Sequence, residues 1–125
     1  MYNPKSVPKP ITTYSQGMEA APGARWLYVS GQVGLSAKGK LSGGIKGQCD
    51  RAWRNLIGVL KAADMGLQDV VKVTVYLTRP EDLAGYREVR ERHLGRARPA
   101  WTLVFVSQLP SPDFLVEIEA VAAKA

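Results

Sequence analysis

The sequence predicts an α+β fold in which two strand-and-helix units build one sheet, with both helices on one of its faces. Three observations predict it. Residues 25–30 and 70–77 alternate apolar and polar side chains at period two, as strands do. Residues 45–63 switch to helical spacing, and a second helical stretch opens at Pro80. Two further strand-like segments, 101–106 and 114–122, close the chain around the turn-rich run Leu109, Pro110, Ser111, Pro112 and Asp113.

In the first strand Leu27 and Val29 share one side, with Trp26, Tyr28 and Ser30 on the other. Gly31 then turns the chain, and the four glycines between positions 34 and 44 read as hairpin and loop. From Ile45 the apolar positions Cys49, Ala52, Trp53, Leu56, Val59, Leu60 and Ala63 form one stripe of an amphipathic helix. Gly66 is expected to close that helix, because glycine tolerates a left-handed C-cap. The next strand places Val71, Val73, Val75 and Leu77 on one face. Pro80 suits a first helical turn, and Glu81 and Asp82 suit its positive end, so a second helix is expected to about His93. The segment 101–106 is apolar on both faces: Trp101, Leu103 and Phe105 alternate with Thr102, Val104 and Val106. Two helices cover only one face, so another copy of the chain is expected to cover the second, which implies an obligate oligomer.

A length of 125 residues suits a single domain, and 46% hydrophobic with 22% charged residues is ordinary globular composition. No apolar run approaches the roughly 20 residues that cross a bilayer. The first 14 residues lack the apolar core of a signal peptide, so a cytoplasmic location is the expectation. The net charge of +6 favours anionic partners without naming one. Six arginines lie between Arg79 and Arg98, but Glu81, Asp82, Glu88 and Glu91 are interleaved with them. That pattern reads as a solvated helix face with pairs such as Arg87–Glu91 and Glu88–Arg92, not as a nucleic-acid surface.

Several motifs carry little chemistry. Gly34 to Lys40 has the G-x-x-x-x-G-K spacing of a phosphate loop, but Leu41 stands where a magnesium-binding hydroxyl is needed. With one cysteine, Cys49, and one histidine, His93, the chain assembles neither a zinc site nor a Ser-His-Asp triad. Cys49 falls on the core stripe, and His93 suits the negative end of the second helix. Glu117 and Glu119 say more, because they share a strand face with Leu115 and Val121. A carboxylate in a partly apolar crevice serves as acid or base near neutrality, whereas the same pair on an exposed edge is only solvated. Ser30, before Gly31 and Gln32, either offers a hydroxyl and amides to a ligand or simply forms the turn.

Taken together, these residues resemble the Rid family, the YjgF-like reactive-intermediate (imine/enamine) deaminases also labelled endoribonuclease L-PSP. The likeness runs through Tyr14-Ser15-Gln16, Val29-Ser30-Gly31-Gln32-Val33, Asn55, Met65-Gly66-Leu67, the 69–77 strand, Tyr86, Pro99-Ala100, Leu109-Pro110 and 116–120. It implies a chorismate-mutase-like α+β fold with a mixed sheet, assembled as a homotrimer with small-molecule pockets between subunits. It also implies hydrolysis of a 2-iminoacid or its enamine to a 2-ketoacid and ammonia, with no cofactor and no metal.

Carried over position by position, the resemblance assigns Glu117 to hold or activate water as the catalytic residue. Tyr14, Ser30 and Gly31 line the pocket. Trp101, also expected at the substrate, stands where the family's carboxylate-gripping arginine follows the Pro-Ala pair, and its indole either stacks on a flat or aromatic ligand or fills the pocket. Leu103 replaces a common cysteine, and Leu83 aligns with a pocket asparagine. An indole has one N–H donor and cannot reproduce a two-pronged, charge-assisted grip. Ordinary free 2-iminoacids are therefore expected to be poor substrates, unless Arg96 or Arg98 reaches in. If only the clamp is missing, Trp101→Arg should restore some turnover. The alternatives to a hydrolase are a non-catalytic, ligand-sensing or protein-interaction trimer, and an RNA-binding protein, for which no stacking motif is visible.

Overall fold

Parallel strands cannot be joined by a tight turn, and this chain contains one parallel pair bridged by a helix. A computed structural model describes residues 1–125. The elements are β1 (Arg25–Gln32), α1 (Gly44–Ala62), β2 (Val70–Leu77), α2 (Leu83–Leu94), β3 (Ala100–Phe105) and β4 (Val116–Lys124). The sheet order is β1-β4-β2-β3. β2 runs parallel to β3, with α2 as the crossover, while β4 is antiparallel to both β1 and β2. The sheet is therefore mixed, and β1 and β3 form its edges.

Both helices pack on one face. Cys49, Ala52, Trp53, Leu56 and Leu60 of α1 and Tyr86 and Val89 of α2 meet Val29, Val73, Val75, Leu77, Val116, Ile118, Ala120 and Ala122 of the sheet. Burying each such leucine or valine contributes about 1.5–3 kcal/mol. The opposite face is open, and Trp26 (54% exposed), Tyr28 (75%) and Val104 (40%) stand on it.

Four details depart from the sequence reading. Helix α1 ends at Ala62, and the left-handed residue after it is Asp64 (φ 56°), not Gly66, which is extended. Gly66 instead donates its N–H to Asp69 Oδ2 at 2.9 Å and so begins a short turn into β2. A register shift near Val71 brings Val70 into the core, where Val71 was expected. Pro80 opens a separate 3-10 turn, Pro80–Asp82, in which Arg79 clamps Asp82 through two bonds of 2.8 Å before α2 starts at Leu83. β4 starts at Val116 rather than at position 114, because the Leu115 N–H is taken by Gln48 Oε1 at 2.8 Å.

The glycine-rich stretch after β1 forms a small hairpin closed by Leu35 and Leu41, and α1 begins only at Gly44. Its amides are not presented at a helix start as a phosphate loop requires.

Candidate functional site

The sheet divides the sequence-predicted site residues into two groups, one on each side. Glu117 and Glu119 point to the open face of β4, opposite Tyr76 and Thr74 of β2. Between Val29 and Gln32, β1 spends three steps against two on β4, so Ser30 and Gly31 form a bulge facing Glu119. Bulges re-aim backbone and side chains, and they concentrate beside functional sites. Here the bulge lets Glu117 lie over Gly31. A methyl group at position 31 would sit 2.0 Å from Glu117 Oε1, 2.7 Å from Cδ and 2.8 Å from Cγ. Only glycine leaves that space.

The strand exit is held from behind by α1. Asn55 Nδ2 donates to the carbonyls of Val33 (3.1 Å) and Leu35 (2.8 Å), which fixes the path after the bulge. Gly31, Tyr76, Gln108, Leu109, Glu117 and Glu119 then line a cavity of about 340 Å³. Tyr76 donates its hydroxyl to Glu119 Oε1 at 2.5 Å. That bond, assisted by burial and by the charges of Glu119 and Glu117, pushes the phenol above its ordinary value and keeps it protonated at neutrality. No cation lines this cavity, so its two carboxylates give it a negative character. Ser30 is exposed and lines the adjoining cavity with Lys72 and Thr74, sharing Glu119 as a wall. Burial lowers the Lys72 ammonium below its usual range.

Tyr14 and Trp101 lie elsewhere. Ser15 pairs with Ala100, donating its N–H to the Pro99 carbonyl at 3.0 Å and its hydroxyl to the Arg98 carbonyl at 2.5 Å. The N-terminal segment is thereby strapped beside the start of β3, which brings Tyr14 to Trp101. Trp101 faces the helices, not the open face, and packs on Trp53 with ring centroids 5.8 Å apart. A third cavity, about 280 Å³, is lined by Ile11, Thr12, Tyr14, Leu83, Arg87, Arg90, Trp101 and Leu103. Two arginines and no acid line it, so its character is opposite to that of the first.

The residue that the sequence reading missed is Arg90. It is only 4% exposed, and its guanidinium carbon lies 5.5 Å from the Trp101 ring centroid and 5.8 Å from that of Tyr86. Its charge is met by Glu91 Oε1 at 2.7 Å, which also accepts the Thr13 hydroxyl at 2.5 Å. The Thr13 bond, with help from Arg90, holds the Glu91 carboxyl below its ordinary value against the opposing effect of burial. In the sequence Arg90 reads as part of a solvated charge run, and its helical position, one residue after Val89 and four after Tyr86, is the signal for its burial. The expected Arg87–Glu91 pair is absent because Glu91 turns to Arg90, whereas Glu88 does reach Arg92 at 3.7 Å and Lys46 at 2.6 Å. Neither loop arginine enters the cavity: Arg98 caps the carbonyls of Gly95 and Ala97, and Arg96 is exposed.

Cys49 and His93 serve the structure. Burial, then the charge of Asp82, pushes the Cys49 thiol up to about 12, far from a reactive thiolate. His93 Nε2 lies 2.8 Å from Asp50 Oδ1 and stacks on Trp53, tying α2 to α1.

A mixed sheet of this order, backed by two helices and bearing a glutamate over a bulge glycine, defines a small α+β protein with opposed acidic and basic clefts. Comparison with known proteins gives the family. The Endoribonuclease L-PSP family model matches residues 4–124. A RutC family protein of Pyrococcus horikoshii is 41% identical over 122 residues, 96% of this chain and 94% of the relative. The mouse 2-iminobutanoate/2-iminopropanoate deaminase is 36% identical over 119 residues, 94% of this chain and 85% of that protein. Among solved structures, Escherichia coli TdcF with bound serine superposes with a TM-score of 0.76 at 28% identity, covering 94% of this chain and 93% of the other. RidA of an Antarctic Psychrobacter gives 0.74 at 34% identity, covering 92% and 91%. The chain belongs to the Rid family. No helix is long and apolar enough to cross a membrane.

Proposed function

We propose that this protein hydrolyses the C–N bond of an imine or enamine in a site completed between copies of the chain, and that small aliphatic 2-iminoacids are poor substrates for it. The observation that carries the reading is the separation of charge. A 2-iminoacid or related compound has a carboxylate at one end and, once protonated, an iminium nitrogen at the other. The Arg87–Arg90 cavity suits the first and the Glu117–Glu119 cavity suits the second. The two lie on opposite sides of one sheet, the acidic cavity across the open face from Gly31 of β1 to Tyr76 of β2 and Val106, and the basic one where α2 meets β3. A head-to-tail ring sets the β3 edge of one copy against the β1 side of the next, and a closed ring of three is the homotrimer expected from the family resemblance. The exposed Trp26, Tyr28 and Val104 supply apolar surface for such an assembly.

The protein's part in the reaction is proton transfer, with water supplying the oxygen. Glu117 accepts a proton as water adds to the imine carbon, a C–O bond forms, and the C=N π pair moves to nitrogen. Glu117 then returns the proton to nitrogen, the C–N bond breaks with its pair leaving on ammonia, and the hydroxyl loses its proton as the ketone forms. An enamine first takes a proton at carbon. Tyr76, held as a neutral phenol, orients Glu119 beside this chemistry. The mouse relative's name records the same reaction class, and TdcF holds serine, a small amino acid.

The test follows ammonia release from 2-aminoacrylate and from the imine that an amino-acid oxidase makes from phenylalanine. Turnover of the phenylalanine imine, its loss in Glu117→Gln, and poor use of 2-aminoacrylate are expected. Absence of turnover on both substrates favours the non-catalytic reading instead.

A further inference from the structure

We propose that Arg90 is the carboxylate-binding residue of the Tyr14–Trp101 cavity, and that it selects a planar, conjugated or aromatic carboxylate. The inference rests on the hydrolytic reading only for its chemistry, not for its geometry. A guanidinium buried to this degree is costly unless it is paired and hydrogen-bonded. Arg90 is only partly provided for. Nε and Nη2 share a single oxygen of Glu91, at 3.2 and 2.7 Å, and Nη1 has one long bond to Thr12 at 3.4 Å. Three of five N–H donors are used, which leaves two without an acceptor on a group that binds carboxylates in pairs.

The surroundings define the rest of the ligand. Trp101, with Tyr86 behind it, gives the guanidinium an aromatic wall, and Tyr14 lies on the same cavity. Flat π-systems stack on such walls, whereas puckered or branched chains do not. Leu83, Leu103 and Ile11 add apolar lining. A volume of about 280 Å³ lies at the small end of ligand cavities, which suits a single ring or conjugated chain and excludes a nucleotide. Charge counts the same way. Arg87 and Arg90 against Glu91 leave one positive charge, which one ligand carboxylate neutralises. The family's clamp position on β3 thus carries the aromatic surface, and the guanidinium comes from α2.

The probes are benzoate, its neutral analogue benzamide, and the non-planar cyclohexanecarboxylate. Each is titrated into the full chain while the indole N–H signals of its three tryptophans are followed by NMR. Benzoate should move the Trp101 signal and leave Trp26 unmoved, with benzamide and cyclohexanecarboxylate at least about tenfold weaker. Arg90→Lys, which keeps the charge and loses the fork, should weaken benzoate by about tenfold or more. Because a buried arginine is a risk to folding, Glu91→Gln serves as the second variant. It is half exposed, keeps an acceptor for Arg90, removes the competing charge, and should tighten benzoate several-fold. Equal binding of benzoate and benzamide, or wild-type affinity in both variants, overturns the proposal. Benzoate binding through Arg90 without ammonia release from any imine supports this clamp and removes the hydrolytic reading. Ammonia release with no benzoate binding does the reverse.

Discussion

Gly31→Ala tests the placement of Glu117 with one methyl group. An added side-chain carbon in ordinary van der Waals contact sits 3.4–4 Å from its neighbours, and the new methyl would lie 2.0 Å from Glu117 Oε1. The carboxylate must therefore retreat by more than an ångström. Because the intruded atoms, Cγ to Oε1, belong to a flexible and partly exposed side chain that can rotate away, the strand itself need not move. The stability cost falls at the low end of the overpacking range, about 1 kcal/mol, which lowers Tm by a few degrees. The catalytic cost is larger, since misplacing a reacting group by about 1 Å costs on the order of 100-fold. Ammonia release from the phenylalanine-derived imine should fall about 100-fold, near the level of Glu117→Gln, while circular dichroism shows a folded protein. Turnover within about threefold of wild type, or a protein that no longer folds, refutes the reasoning.

Three further predictions concern other parts of the molecule. Trp101→Arg alone, contrary to the simplest sequence expectation, should gain no activity on 2-aminoacrylate. The new guanidinium would stand beside Arg90, and lost indole packing plus like charge should cost about 2–4 kcal/mol, read as a lower Tm; adding Arg90→Met should recover stability and some turnover. Placing aspartate at both Tyr28 and Val104 on the open face should convert the proposed ring to a 13.6 kDa species by light scattering, and an unchanged mass would contradict the proposed interface. The bonds from Arg54, then His93, hold the Asp50 carboxyl below its ordinary value. Its contribution to stability is complete above about pH 4 and fades as pH falls through the folded value. Asp50→Asn should therefore lose Tm at neutral pH and show a shallower decline below about pH 4; parallel curves for the two proteins would exclude this source of acid sensitivity.

Alternation and helical spacing carried most of the fold. Leu27 and Val29 against Trp26 and Tyr28, and Trp53, Leu56 and Leu60 on one stripe, fall where their periods place them. The departures come from local bonds that periodicity does not encode: Asp64 taking the left-handed position ahead of Gly66, and Gln48 claiming the Leu115 amide. In the site, Gly31 and Glu117 were legible as family positions, but their mutual contact depends on a one-residue bulge. Period two did place Trp101 opposite the open-face residues, yet its consequence, that it cannot share a pocket with Glu117 within one copy, needed the helices in place. Arg90 was hidden because a buried arginine and a solvated one look alike in a charge run.

The central claim is that catalysis needs the basic cleft of one copy and the acidic cleft of the next. Arg90→Met and Glu117→Gln chains, each inactive alone, can be unfolded together and refolded as mixed oligomers, then assayed for ammonia release from the phenylalanine-derived imine. Random mixing leaves about one quarter of head-to-tail interfaces with both residues intact, so about one quarter of wild-type activity should return. No recovery above the separate variants, in oligomers shown to be mixed, would contradict a shared site.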